Sequence, residues 1–147
     1  MIPLALMAEL LTVRGDWGAF RGGPPKSCYA IAAPVRVGGG GRAFVSIGSW
    51  PRQGLRGQLH VRLSAPVAPG ARVTLSIGTR RFELIAGARD AWASDARADA
   101  AIVTAMRAGR SLSVEAQGAS GRPFADVYAL AGAATAIDAA ALGCVAG

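Results

Sequence analysis

The chain of 147 residues contains one histidine, two cysteines, one lysine and no acidic side chain between Asp16 and Glu83. Each scarcity excludes something. His60 stands alone, and Cys28 and Cys144 lie 116 positions apart, so neither a metal-ligand nor a redox-motif spacing exists. No metal centre and no cofactor is expected. No apolar run reaches the ~18 residues of a membrane span, which excludes a transmembrane helix. The sequence has no G-x-S-x-G nucleophile motif, and nothing in it pairs His60 with a nucleophile and a carboxylate. No catalytic residue is therefore assigned, and a non-enzymatic protein is expected. The glycine run 38–41, followed by Arg42, lacks the lysine and hydroxyl residue of a phosphate loop and reads as a flexible turn.

What the chain does have is positive charge. Sixteen basic against nine acidic side chains give a formal +7. The acid-free stretch carries Arg21, Lys26, Arg36, Arg42, Arg52, Arg56, Arg62, Arg72, Arg80 and Arg81. Such asymmetry points to an anionic partner. Compositional bias toward Arg, Ala and Gly explains the same pattern without a partner, and both readings stand. No nucleic-acid motif accompanies the charge, so a basic nucleic-acid binder is the weaker alternative.

Apolar residues make up 52% and charged ones 17%, enough for one domain with a true core. Residues 1–14, MIPLALMAELLTVR, are set apart. They fit a signal-peptide remnant without its basic start, or an ordered extra element at the beginning of the domain. From 15 to 147 the pattern is mostly period two, with turn residues between short segments. Strands are expected over 16–21, 27–34, 42–49, 57–65, 72–77, 80–86, 111–117 and 123–130. The clearest signal is Val73-Thr-Leu-Ser-Ile77, Gly78-Thr79, Arg80-Arg-Phe-Glu-Leu84, where Gly at the first loop position suits a type II′ hairpin. One helix is expected from Ser94 or Asp95 to about Ala108, with Asp95 and Asp99 at its start, Arg107 near its end and Gly109 as a left-handed stop. A second, Ala-rich helix is expected over 133–142, ended by Gly143. The fold class is mainly β: an antiparallel β-sandwich, or partly open barrel, of about eight short strands with one inserted helix and a C-terminal helix.

Two constellations remain. Cys28, in an early strand, and Cys144, beside the last helix, either form a disulfide closing nearly the whole chain into a loop or stay as two buried thiols. The bridge would imply an oxidising compartment. In the segment 55–64, Leu55, Leu59, Val61 and Leu63 alternate with polar residues, and Arg56, His60 and Arg62 are expected to share the solvent face. Trp50 and Arg52 border that patch. Cations, an aromatic ring and ring N–H donors together can recognise phosphate, carboxylate or sugar groups, though any half-exposed strand shows such alternation. Trp17, Trp50 and Trp92 are expected as core or rim anchors.

Several segments taken together resemble the invasion-associated locus B family. They are Gly15-Asp-Trp17-Gly-Ala-Phe20, Cys28-Tyr-Ala-Ile-Ala32 with Pro34, Asp90-Ala-Trp92, Ala101-Ile-Val103 with Ala105-Met-Arg107 and Gly109, Ser113-Val-Glu115, Tyr128-Ala-Leu130 with Gly132-Ala133, Ala136-Ile-Asp138 and Cys144. The resemblance implies a small secreted or periplasmic bacterial protein, rich in β-structure, disulfide-stabilised and without an established enzymatic activity. Many relatives carry further cysteines where this chain has residues such as Ala19 or Phe20, and in this respect it resembles the alphaproteobacterial variant. The function expected is that of an envelope protein, periplasmic or extracellular. It would bind an anionic envelope component or a protein partner through an Arg-rich β face of Trp50, Arg52, Arg56, His60 and Arg62. The alternative is a small-ligand binder or enzyme with a site on its loops.

Overall fold

In the computed structural model, which describes residues 8–145, alternating apolar positions produce ten strands. They are β1 (Glu9–Arg14), β2 (Trp17–Gly22), β3 (Ser27–Ala32), β4 (Phe44–Trp50), β5 (Leu55–Arg62), β6 (Val73–Ile77), β7 (Arg80–Ala86), β8 (Asp90–Trp92), β9 (Ser111–Gln117) and β10 (Pro123–Ala129). Helix α1 spans Ala96–Ala108 and α2 spans Ala133–Val145. The strands form one open antiparallel sheet in the order β1-β2-β3-β4-β5-β8-β7-β6-β9-β10, which does not close into a barrel. All eight expected strands are present. Two more join them. Strand β8 has only three residues, too short for a periodic signal. Strand β1 falls within the segment set apart in the sequence, and the rest of that expectation, on residues 1–7, lies outside the described residues.

The sheet bends over its own core. The Trp17 indole N–H donates to the Ala129 carbonyl (2.8 Å), and Val35 and Val127 are joined by a backbone bond of 2.7 Å. Strands far apart in the order are thereby brought together. Trp17, Leu59, Leu63, Leu75, Ile102, Met106, Leu112 and Tyr128 fill the interior with less than 2% exposure. The two helices cover the core face, α2 over β1 to β4 and α1 beside β5 and β7. Helix α2 buries Ala133, Ala136 and Ala140, small residues that let its backbone approach the sheet closely, with Ile137 as its one large buried side chain.

Local signals explain much of this, and three glycine expectations need correction. Gly78 has φ +58° and no residue other than glycine has positive φ among the described residues, so Thr79 cannot complete a type I′ turn and the hairpin fits type II′. Asp95 accepts from the Ala98 amide at 2.8 Å and caps α1 as expected. Gly109, however, is extended (φ −89°, ψ 169°) rather than left-handed. A β-carbon there would come within 2.5 Å of Ile77, so the position demands space. Gly143 does not end α2, which continues to Val145; a β-carbon there would press on Leu11 at 2.8 Å. The run 38–41 is also not a free turn. The Gly38 amide donates to Asp126 (2.9 Å), Gly39 to the Ser64 hydroxyl (2.7 Å) and Gly41 to the Ser64 carbonyl (2.8 Å).

Candidate functional site

Strand β5 puts Leu59 and Val61 into the core and turns His60 and Arg62 outward. Residues directly opposite on antiparallel strands share a face. His60 therefore lies in a row with Ser46 of β4, Trp92 of β8 and Ile85 of β7, while Arg62 is flanked by Phe44 and Asp90. Asp90 is the hub. Its Oδ1 is 2.8 Å from His60 Nε2, and its Oδ2 accepts from Arg62 Nη1 at 2.8 Å. An ionised carboxylate only accepts, so the proton sits on Nε2 in this contact. The imidazole stacks on Trp92 (centroids 5.4 Å, planes 6° apart) and meets the Phe44 ring edge-on at 5.0 Å.

Farther along the same face, Phe20 stacks on Tyr29 with centroids 5.5 Å apart. The Trp50 ring folds back over Gly48, where a β-carbon would stand 3.0 Å from it; the absence of a side chain is what lets the indole lie there. Leu10, Val13 and Ile85 are each more than half exposed on this side, and Trp92 is 37% exposed. Both helices pack on the opposite face. The outward face is thus a band of aromatic and aliphatic side chains with charged groups set into it.

The expected patch is partly assembled. His60 and Arg62 sit together, and Trp50 borders the same face. Arg52 follows on an exposed 3-10 turn, Pro51–Gln53, closed by left-handed Gly54. Arg56 separates from them. A register shift between Gly48 and Trp50, with Gly57 at φ +61°, turns its side chain toward the helix side, where it lines a cavity with Cys28 and Ile47. Strict alternation would have kept Arg56 with His60; the bulge reverses it. Asp90, Phe44 and Trp92 were not among the expected site residues. The alternate spacing of Asp90 and Trp92 was the only signal available for them. Trp17 is fully buried, and Trp50 and Trp92 lie at the rim.

Chemically, the site has a histidine and a carboxylate in contact. Ser46, across from His60, is largely buried, and no hydrogen bond joins its hydroxyl to the imidazole. Among the described residues no group of three or more His, Cys, Asp or Glu converges on one point. The charge is unevenly compensated. Arg21, Arg62, Arg72 and Arg107 make ion pairs, and the other arginines make none among the described residues. Cys28 and Cys144 are joined as a disulfide that fastens the last turn of α2 to β3, with Cα atoms 5.8 Å apart.

With this geometry in place, the chain aligns with the crystal structure of invasion associated protein B from Bartonella henselae at a TM-score of 0.60, over 93% of this chain and 98% of that one. The two share a fold. Their sequence identity is 18%, so the likeness to invasion associated protein B concerns the path of the chain and transfers no site residue. No protein-family profile and no curated protein matches the sequence.

Proposed function

We propose that this is a non-enzymatic secreted or periplasmic protein that binds an anionic envelope component through the outward face of its sheet. The observation carrying this reading is the aromatic band of Phe20, Tyr29, Trp50, Phe44, His60 and Trp92 on the side the helices leave open. Aromatic rings give area at low entropic cost, and Arg52, on the exposed turn that follows Trp50, makes no ion pair among the described residues. The disulfide supports an oxidising compartment. Among the described residues no helix is long and apolar enough to cross a membrane. The fold shared with a protein named for its association with invasion agrees with an envelope setting.

The test is sedimentation with vesicles of phosphatidylglycerol and phosphatidylcholine, and retention on immobilised lipopolysaccharide, at ~0.15 M and ~1 M salt. Binding is expected to weaken at high salt and on Trp50→Ala combined with Arg52→Gln. Equal retention at both salt levels would remove the electrostatic mechanism.

A further inference from the structure

A cavity of about 490 Å³ opens on the helix side of the sheet, between the β4–β5 turn and the last turns of α2. It is separate from the aromatic band, because Cys28 and Ile47 in its wall belong to the buried face. Its size falls within the ~300–1,000 Å³ range of small-molecule sites. Ile47, Ile137, Ala140 and Ala141 make most of the lining apolar.

The polar end is one-sided. Ser49 Oγ accepts from the Gly57 amide at 3.0 Å, which leaves its O–H free to donate into the cavity. Among the described residues Arg56 beside it has no ion-pair partner and no acidic side chain lines the space. A guanidinium and a hydroxyl donor therefore stand at one end of a hydrocarbon-lined chamber. Such a lining rejects a cation, leaves a neutral alcohol without a charge partner, and suits a small anion with an aliphatic body.

We propose that this cavity binds an amphiphilic carboxylate, its head on Arg56 and Ser49 and its chain along Ile47, Ile137 and Ala140. The Cys28–Cys144 bridge forms one wall and holds the end of α2 in place. Binding is consequently coupled to the oxidised state: reduction frees the helix end and opens the chamber.

The test titrates decanoate, below micelle formation, into oxidised protein by calorimetry, with decyltrimethylammonium as the cationic counterpart. Saturable one-to-one binding of decanoate is expected, with the cation at least ~10-fold weaker. Arg56→Gln, at an exposed position, should weaken decanoate by about tenfold. Ala141→Trp, at the exposed rim of α2, fills the chamber without burdening the core and should abolish binding. Trp92→Ala on the other face should leave it unchanged, so the outcome is independent of the function proposed above. No saturable binding, equal affinity for both amphiphiles, or binding that survives Ala141→Trp would each overturn the assignment. Unchanged affinity after reduction would overturn the coupling to the disulfide.

Discussion

Asp126 accepts a hydrogen bond of 2.5 Å from the Ser64 hydroxyl, both residues being fully buried. The same carboxylate takes the Ser64 amide (3.0 Å) and the Gly38 amide (2.9 Å), while Ser64 Oγ accepts from Gly39. One acidic side chain on β10 therefore holds the loop after β3 and the end of β5 together. Close approach is what makes this fit, since a β-carbon on Gly39 would stand 2.5 Å from that of Ala65. Asp126→Asn puts an amide donor where donors already point. It should lower stability by about 2–4 kcal/mol, because buried donors lose an acceptor. Urea unfolding followed by tryptophan fluorescence measures this, and a loss under ~0.5 kcal/mol would show that the network contributes little.

The disulfide should be the largest single covalent contribution. It closes a loop of 116 residues, for which chain entropy gives about 4–5 kcal/mol as an upper figure. Other contacts hold the same helix end: Lys26 Nζ donates to the Cys144 carbonyl and Arg21 Nη1 to that of Gly143, each at 3.4 Å. Cations at a helix C-terminus are favourable. The Cys28→Ala, Cys144→Ala variant should therefore remain folded but lose about 2–4 kcal/mol. In hydrogen exchange, amides in the last turns of α2 should lose protection before those of β3 and β4. Uniform loss across the sheet would mean that the bridge supports the whole domain.

Features that depend on near neighbours are legible in the sequence. The hairpin of β6 and β7 follows from the alternation of Val73, Leu75 and Ile77 around Gly78, and α1 follows from Asp95 followed by an apolar stripe. Features set by packing between remote segments are not. Asp90 meets His60 only because β8 inserts between β5 and β7 in the sheet order. Gly109 does end α1, but in extended rather than left-handed backbone with Ile77 lying against it, whereas Gly143 looks like a helix stop in one dimension yet lies inside α2, against Leu11. Arg56 left its expected face through a single register shift, which alternating sequence cannot reveal.

Asp99 joins α1 to the sheet by accepting from the Leu59 amide at 2.9 Å, beyond the point where β8 ends. Burial raises its carboxyl above the ordinary value, the Leu59 amide opposes this, and the nearby Asp95 charge adds to it. The folded protein thus holds this proton more tightly than the unfolded chain does. Its contribution to stability is full below the unfolded value of ~3.9 and is lost as pH rises through the raised folded value. Asp99→Asn keeps an acceptor for Leu59 and removes the titration. Wild type should therefore gain on the variant as pH falls from 7 toward 3.5, by less than about 1 kcal/mol since the group is partly solvated. Paired urea midpoints across that range measure it, and a difference that shrinks or reverses on acidification would contradict the assigned cause.

Asp90 holds His60 and pairs with Arg62 on the outward face, and that gives outward-face binding its most discriminating test. Asp90→Asn keeps the shape of the side chain and can still accept from one partner, while Arg62 becomes an uncompensated cation beside Phe44. Both Arg62 and Asp90 are partly solvated, at 38% and 27% side-chain exposure, so the cost in stability should be only about 0.5–1 kcal/mol. Affinity for phosphatidylglycerol vesicles should then rise, by ~2–5-fold at low ionic strength, and its salt dependence should steepen. Trp92→Ala should act in the opposite direction, because the ring carries exposed area and holds the imidazole flat. A protein that merely needs an intact sheet would bind more weakly in both variants. A gain from the first and a loss from the second would require the outward face itself to touch the anion.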